Sequence, residues 1–252
     1  MGLSAEEKNR YHRHLILPDF GEIGQLRLKR ASVLVIGVGG LGSAAALYLA
    51  AAGVGRIGLV DDDLVDVSNL QRQVIHTLTS VGELKVKSAA DRLLGLNSLI
   101  TVETHAIRLT ENNAHEIISF YDIVVDASDN YSTRYLINRT CVALQKPMVY
   151  GAVYQFDGQI SVFAPHLGGP CYRCLFKENP EDEGEVIGVF GVLPGVIGSL
   201  QAVEAIKLIT GLGKALIGRL LVFDALNGVF EQIQVPRNEN CVVCSSSKTE
   251  NG

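Results

Sequence analysis

Four glycines in six residues, Gly37-x-Gly39-Gly40-x-Gly42, narrow most sharply what this chain can fold into. Val33-Leu-Val-Ile36 before them is short and β-branched, and Ala44 to Ala52 after them is rich in Ala and Leu. That order reads as strand, tight turn and helix, the context that separates a meaningful GxGxxG from coincidence. The same region tests a membrane reading. Ala31 to Gly55 carries no charged side chain over 25 residues, long enough to cross a bilayer. Its six glycines and its change of propensity midway favour a buried strand, turn and helix instead. A second uncharged run, Val186 to Val203, holds Pro194 and four glycines and reads as loop and core.

Composition bounds the class. Of 252 residues, 47% are apolar and 19% charged, which excludes a disordered chain. A net charge of −5 and a pI near 5.7 argue against sequence-independent nucleic-acid binding, which needs a dense basic surface. No basic segment precedes an apolar one near Met1, so no secretory signal is expected. Five cysteines, an odd number, suit a reducing, cytoplasmic compartment better than a disulfide framework. Neither a nucleic-acid nor a membrane partner is expected.

The strand and helix signals alternate through the first part of the chain. Ser4-Ala-Glu-Glu7 resembles a capping box opening a helix over 4–16 that carries Arg10, Tyr11 and Arg13. Strands are expected at Ile57–Val60, Thr101–Thr104, Ile123–Asp126 and Pro147–Tyr150, with helices over Leu84–Leu96, Asn112–Phe120 and Tyr131–Leu144. This alternation implies βαβ crossovers and a mostly parallel, Rossmann-like α/β sheet with helices on both faces. Past Gly151 the pattern changes. Strands are expected at Gln159–Ala164 and Leu220–Asp224, a hairpin partner at Gly228–Val235, and an amphipathic helix over Ile197–Thr210 capped by Gly211. Lys177 to Glu185 is polar and acidic and reads as a mobile loop. No linker divides the chain, so it reads as a single domain over 1–252. A nucleotide-binding half spans about 30–150, and a second half with a structural metal site spans about 151–245.

The chemistry-bearing residues gather where predicted strands end. Gly37, Gly39, Gly40 and Gly42 let backbone approach a phosphate at a helix N-terminus. Asp61, 19 residues beyond Gly42, ends the next strand where a carboxylate can accept from ribose hydroxyls. Alone, these residues signal a bound nucleotide, with NAD as the default. The run Ser68, Asn69, Leu70, Gln71, Arg72 and Gln73 adds amides and a guanidinium, and Lys85 opens the next helix. Cations gain a hydride-transfer enzyme little, whereas reaction at a phosphate gains much from them. Asp129 and Asn130 follow a strand at the position where ligands bind in open α/β sheets and could hold Mg²⁺.

The cysteines form two pairs, Cys171-Tyr-Arg-Cys174 and Cys241-Val-Val-Cys244, with 66 residues between. Four thiolates make a closed tetrahedral zinc site with no open position, hence a structural one. Redox CxxC motifs or two disulfides are the alternatives. Cys141, among Val142, Ala143 and Leu144, reads as a small buried hydrophobe. None of the six histidines shows metal-ligand spacing.

Together Arg10-Tyr-His-Arg13-His, the glycine turn, Ser68–Gln73, Lys85, Asp129-Asn130, Gly191 to Ala202 and the paired CxxC motifs resemble the MoeB/ThiF family of ubiquitin-activating-enzyme-like adenylyltransferases. The resemblance runs from Leu3 to Cys244. It implies a homodimer that uses ATP and Mg²⁺ to adenylate the C-terminal Gly-Gly carboxylate of a small ubiquitin-like sulfur carrier (MoaD- or ThiS-like), releasing pyrophosphate, for molybdopterin or thiamin biosynthesis. It assigns Gly40, Asp61, Asp63, Asn69, Arg72, Lys85 and Asp129 to the ATP site. Asp61 would hold the ribose, Arg72 and Lys85 the phosphates, and Asp129 the metal. Arg13 would reach across the dimer into the partner's site. Many relatives also place a cysteine in the mobile loop. Counted back from Gly191 that position falls near Gly184, and no cysteine occurs between Cys174 and Cys241. Sulfur is therefore expected from a separate donor, a cysteine desulfurase or rhodanese. Two other readings predict differently. An NAD-dependent oxidoreductase would be indifferent to loss of Arg13. A non-catalytic zinc-stabilised scaffold for a ubiquitin-like protein would leave Asp61, Arg72, Lys85 and Asp129 idle.

Overall fold

In a computed structural model the chain is described over residues 2–176 and 188–245. The expected loop Lys177–Glu185 lies outside the described residues. The N-terminal segment forms α1 (Ala5–Arg10), α2 (His12–Leu15) and α3 (Gly21–Arg30). The capping box at Ser4 forms as expected, with Ser4 Oγ accepting from Glu7 N and Glu7 accepting from Ser4 N. The single helix expected over 4–16 does not: it breaks at Tyr11, at φ −96° and ψ 16°. The tyrosine is buried there, and its hydroxyl accepts from Asn97 Nδ2 at 2.9 Å, so a tertiary contact overrides helix continuity.

The nucleotide-fold elements follow in alternation: β1 (Ser32–Ile36), α4 (Gly40–Ala52), β2 (Arg56–Val60), α5 (Lys85–Leu96), β3 (Thr101–His105), α6 (Ala114–Ser119), β4 (Ile123–Asp126), α7 (Tyr131–Ala143) and β5 (Met148–Tyr154). The chain then turns back through β6 (Asp157–Phe163), α8 (Tyr172–Leu175), α9 (Leu193–Thr210), β7 (Arg219–Asp224) and β8 (Val229–Gln234). The eight strands among the described residues lie in one sheet, in the order β3-β2-β1-β4-β5-β6-β7-β8. The first five are parallel, and β5 to β8 are antiparallel neighbours. Val33 sits opposite Ile57 on one side and Ile123 on the other, so β1 is central to the parallel part.

The two-residue period of β1 divides the apolar side chains between two cores. Val33 and Val35 join a core with Leu49 of α4, Leu93 of α5 and Ile197 of α9, while Leu34 and Ile36 join one with Ile118 of α6 and Ile137 of α7. Helix α9 is apolar enough and long enough, at 18 residues, to cross a membrane by those criteria. Here it packs beside α4 and against β5 and β6 of the sheet. Gly198 permits the approach, since a Cβ there would meet the Leu41 carbonyl oxygen at 2.2 Å. The buried Gln201 donates through Nε2 to the carbonyls of Asp126 (2.6 Å), at the end of β4, and of Val149 (3.1 Å), near the start of the adjacent β5.

Candidate active site

Strand order reverses between β1 and β4, and the crevice beyond their carboxyl ends is where open α/β sheets bind ligands. A cleft of about 640 Å³ opens there. Its floor is the glycine turn. Gly37 has φ +91°, and a Cβ on it would lie 2.6 Å from the Ala127 carbonyl oxygen, so the turn packs directly on the loop after β4. Gly39 caps α4 without a side-chain cap, leaving the first-turn N–H groups available to an anion. Gly40 also lines the cleft, and a Cβ there would meet Pro194 Cβ at 2.8 Å. Gly42 lies behind, at a contact with the Gly37 carbonyl.

Acidic and basic groups meet at the end of β2. Asp61 Oδ2 accepts from Val38 N at 2.7 Å and Oδ1 from Asp63 N at 2.9 Å. Burial pushes the Asp61 carboxyl up from its ordinary pKa, against the pull of Lys85 and of these two amides. The Asp61, Asp62 and Asp63 carboxylates lie within 4.8 Å of one another, an arrangement exposed acidic groups also adopt with no ion present. Lys85 opens α5, its N–H donating to the Asp63 carbonyl at 2.9 Å. Its Nζ lies 2.7 Å from Asp63 Oδ2, and its side chain is 8% exposed against 67% for Asp63, so the cleft keeps its cation fixed and its acid wet.

Of Ser68 to Gln73, Arg72 and Gln73 line the cleft. Asn69 is instead engaged in a local cap, accepting from Asp66 N through Oδ1 at 3.2 Å, and Gln71 packs beside Gly191. The Ser68 carbonyl accepts from Arg72 Nη1 at 3.1 Å, which orients the guanidinium. Gln73 is buried, and its Oε1 has no hydrogen-bond partner among the described residues. Asp129 and Asn130 face the cleft from the loop after β4. Asn130 caps α7, accepting from Thr133 N at 2.9 Å, so the exposed Asp129 is the freer ligand for a cation. Arg13, exposed on α2, is not among the residues lining the cleft of one chain.

Several groups here carry no sequence signal. Arg108 and Leu109, after β3, form one wall. Asp126 is fully buried beneath the loop, its Oδ1 accepting from Ser128 N (3.1 Å) and Ser128 Oγ (2.6 Å). Burial raises its pKa, and the charge of Arg134 opposes that rise. Arg134 Nη2 donates to the Ser128 carbonyl at 2.9 Å, holding the same loop from the other side.

The four paired cysteines converge in a cluster of their own, apart from the residues that line the cleft. Sγ separations are 3.8 Å for Cys171–Cys174, 3.6 Å for Cys171–Cys241 and 3.5 Å for Cys174–Cys244. These are too long for S–S bonds of ~2.05 Å. They fit a tetrahedron with metal–sulfur bonds of ~2.3 Å, whose edges are ~3.8 Å. Arg237 ties the two segments together, donating to the carbonyls of Pro165 (3.3 Å) and Cys244 (2.6 Å). Cys141 is buried elsewhere, and desolvation raises its thiol pKa, in line with a core role.

A glycine turn, a carboxylate at the end of the next strand and two cations meet at a parallel switch point, the arrangement of a nucleotide-binding α/β protein. The chain belongs to the ThiF family, which it matches over residues 11–243. It is 54% identical to the sulfur carrier protein adenylyltransferase of Thermus thermophilus, covering 99% of this chain and 95% of that one. It is 50% identical to the adenylyltransferase and sulfurtransferase MOCS3 of Aedes aegypti over 97% of its length, and spans 57% of that longer protein. A crystal structure of E. coli MccB with AMPCPP and MccA superposes with a TM-score of 0.85 at 25% identity, covering 94% of this chain and 74% of that one.

Proposed function

We propose that the chain is an ATP-dependent adenylyltransferase that activates the C-terminal Gly-Gly carboxylate of a small ubiquitin-like sulfur carrier. The observation that carries this reading is the pairing of two fixed cations, Arg72 and Lys85, with the glycine turn and Asp61 in one cleft. Such a cleft suits attack at a phosphate, and the names of the close relatives agree with it.

In this reading Asp61 accepts from the ribose, and the amides at Gly39 and Gly40 meet the phosphates. A carrier carboxylate oxygen attacks the α-phosphorus, the bond to the bridging oxygen breaks, and pyrophosphate leaves with that electron pair. Arg72 and Lys85 stabilise the charge growing on the phosphoryl oxygens, and no covalent enzyme intermediate is needed. Asp129, beside Asn130, is the group to hold Mg²⁺, which when bound screens phosphate charge. Arg13 is assigned to the cleft of a second copy in a homodimer, where an arginine supplied in trans would act on the same charge. Cys171, Cys174, Cys241 and Cys244 are assigned to structural Zn²⁺, consistent with a cytoplasmic setting. The position near Gly184, where relatives carry a cysteine, lies outside the described residues. Its glycine supports a separate sulfur donor, a cysteine desulfurase or rhodanese. Whether the carrier is MoaD-like, for molybdopterin, or ThiS-like, for thiamin, is a matter of which one the enzyme accepts.

The test is pyrophosphate–ATP exchange by the purified protein with and without a carrier ending in Gly-Gly. Exchange that depends on the carrier supports acyl-adenylate formation, and swapping carriers identifies the pathway. Absence of exchange with every carrier, in a dimeric and zinc-loaded protein, overturns it.

A further inference from the structure

His76 is a buried titratable group that the chemistry above does not use, yet it touches two walls of the nucleotide cleft. It is 6% exposed and follows the Arg72–Gln73 segment, its N–H donating to the Gln73 carbonyl at 3.1 Å. Nε2 lies 3.1 Å from the Val38 carbonyl oxygen and Nδ1 lies 2.9 Å from Ser88 Oγ. A carbonyl oxygen can only accept, so Nε2 carries the proton and Nδ1 accepts from the Ser88 hydroxyl. Burial lowers the imidazole pKa and Lys85 acts in the same direction, the Val38 bond and the Asp61 charge oppose them, and the net shift is downward.

The two partners sit on different parts of the site. Val38 is inside the glycine turn, and its own N–H is held by Asp61. The peptide groups on both sides of Val38 are therefore fixed, one by Asp61 and the other by His76. Ser88 lies three residues beyond Lys85 in α5, on the same helical face. The imidazole thus spans from the phosphate-facing turn to the helix that presents the lysine.

We propose that His76 is a positioning residue, a neutral strut that sets the spacing between the glycine turn and the first turn of α5, and so aligns the turn amides and Lys85 on one nucleotide. The strut stands on the contacts alone, whereas its effect on ATP rests on the function proposed above.

Two variants of equal polarity test it. In His76→Gln the carboxamide nitrogen reaches where Nε2 was and keeps the bond to Val38, whereas in His76→Asn it reaches only the Nδ1 position. The Asn variant is expected to raise the Kd and KM for ATP about tenfold while kcat in pyrophosphate exchange changes less than about threefold, with Gln within about threefold of the parent on all counts. In nucleotide-free protein, amide hydrogen exchange over Val38–Leu41 should accelerate with Asn and not with Gln. Equal behaviour of the two variants, or unchanged exchange over Val38–Leu41 in the Asn variant, overturns the strut. Failure of the parent protein to bind ATP would instead overturn the functional reading, with the exchange measurement still deciding whether His76 holds the turn.

Discussion

The two ends of the sheet differ in how they are covered. Every residue of β1 is buried, between parallel neighbours on both sides and helices on both faces, whereas every residue of β8 is exposed. At the covered end the backbone is locked, and the groups at the strand ends hold fixed separations, such as Lys85 Nζ to Asp63 at 2.7 Å. At the open end β8 pairs, among the described residues, with β7 alone, and Phe223 and Phe230 stack across that pair at 4.3 Å between ring centroids. That end is tied back through Leu220 and Val235, which join the second core, and through Arg237 beside the cysteine cluster. A rigid cleft and a free sheet edge are opposite requirements. One chain meets both by reversing strand direction after β5.

The contrast can be broken most forcefully at the cysteines. Structural zinc in small domains is worth ~10–16 kcal/mol, so Cys171→Ser or a strong chelator should loosen residues 219–245 long before β1 to β5. Hydrogen exchange would show rapid exchange in β7 and β8 with β1 still protected, and uniform protection would mean the cluster does not anchor that end. Next in size is a paired truncation. Leu34→Ala, at a fully buried site, should cost about 3–5 kcal/mol. Ile233→Ala, at a site 48% exposed, should cost under about 0.5 kcal/mol in urea unfolding. Lys85→Ala should leave both ends folded yet slow carrier-dependent pyrophosphate exchange by about 10²–10³-fold, and a loss below tenfold would remove Lys85 from the chemistry.

The smallest effect is one of pH. The folded pKa of His76 is depressed, so the unfolded chain takes up its proton first as pH falls below ~6.5. Stability from this group is present above that value and declines below it, by well under the ~1.4 kcal/mol per pH unit that one full proton gives. Unfolding midpoints between pH 7 and pH 5 should therefore fall slightly less in His76→Gln than in the parent.

Much of the covered end is legible in the sequence because its signals are local. Val33–Ile36 and Ile123–Val125 are uninterrupted apolar runs, the glycines sit between a strand and a helix, and Lys85 begins a periodic segment. Residues whose roles depend on distant partners are not legible. Arg134 reaches back to the Ser128 carbonyl across a turn, Arg108 and Leu109 reach the cleft only because β3 flanks β2, and nothing around His76 announces Ser88 as its partner. Asn69 shows a different limit. Its carboxamide suits a ligand or a local cap equally well in sequence, and the fold directs it to Asp66. The break at Tyr11 follows from Asn97, 86 residues away.

Gln201 has a consequence for how such a protein can be divided. Its side chain, carried on α9, bonds the carbonyls of Asp126 at the end of β4 and of Val149 near the start of β5, and that amide fills the space where Gly151 lacks a Cβ. A chain ended after β5 would keep the glycine turn, Asp61, Arg72, Lys85 and Asp129, yet lose Val189 and Pro194 from the cleft wall and expose two carbonyls that Gln201 bonds, at ~1–3 kcal/mol each where water cannot reach them, along with the apolar face on which α9 lies. The nucleotide half is therefore not a cassette that can be excised and grafted. Any recombination that exchanges recognition surfaces on this scaffold has to carry α9 along with the parallel strands, and with it the segment through Leu216, whose N–H donates to Glu204 of that helix.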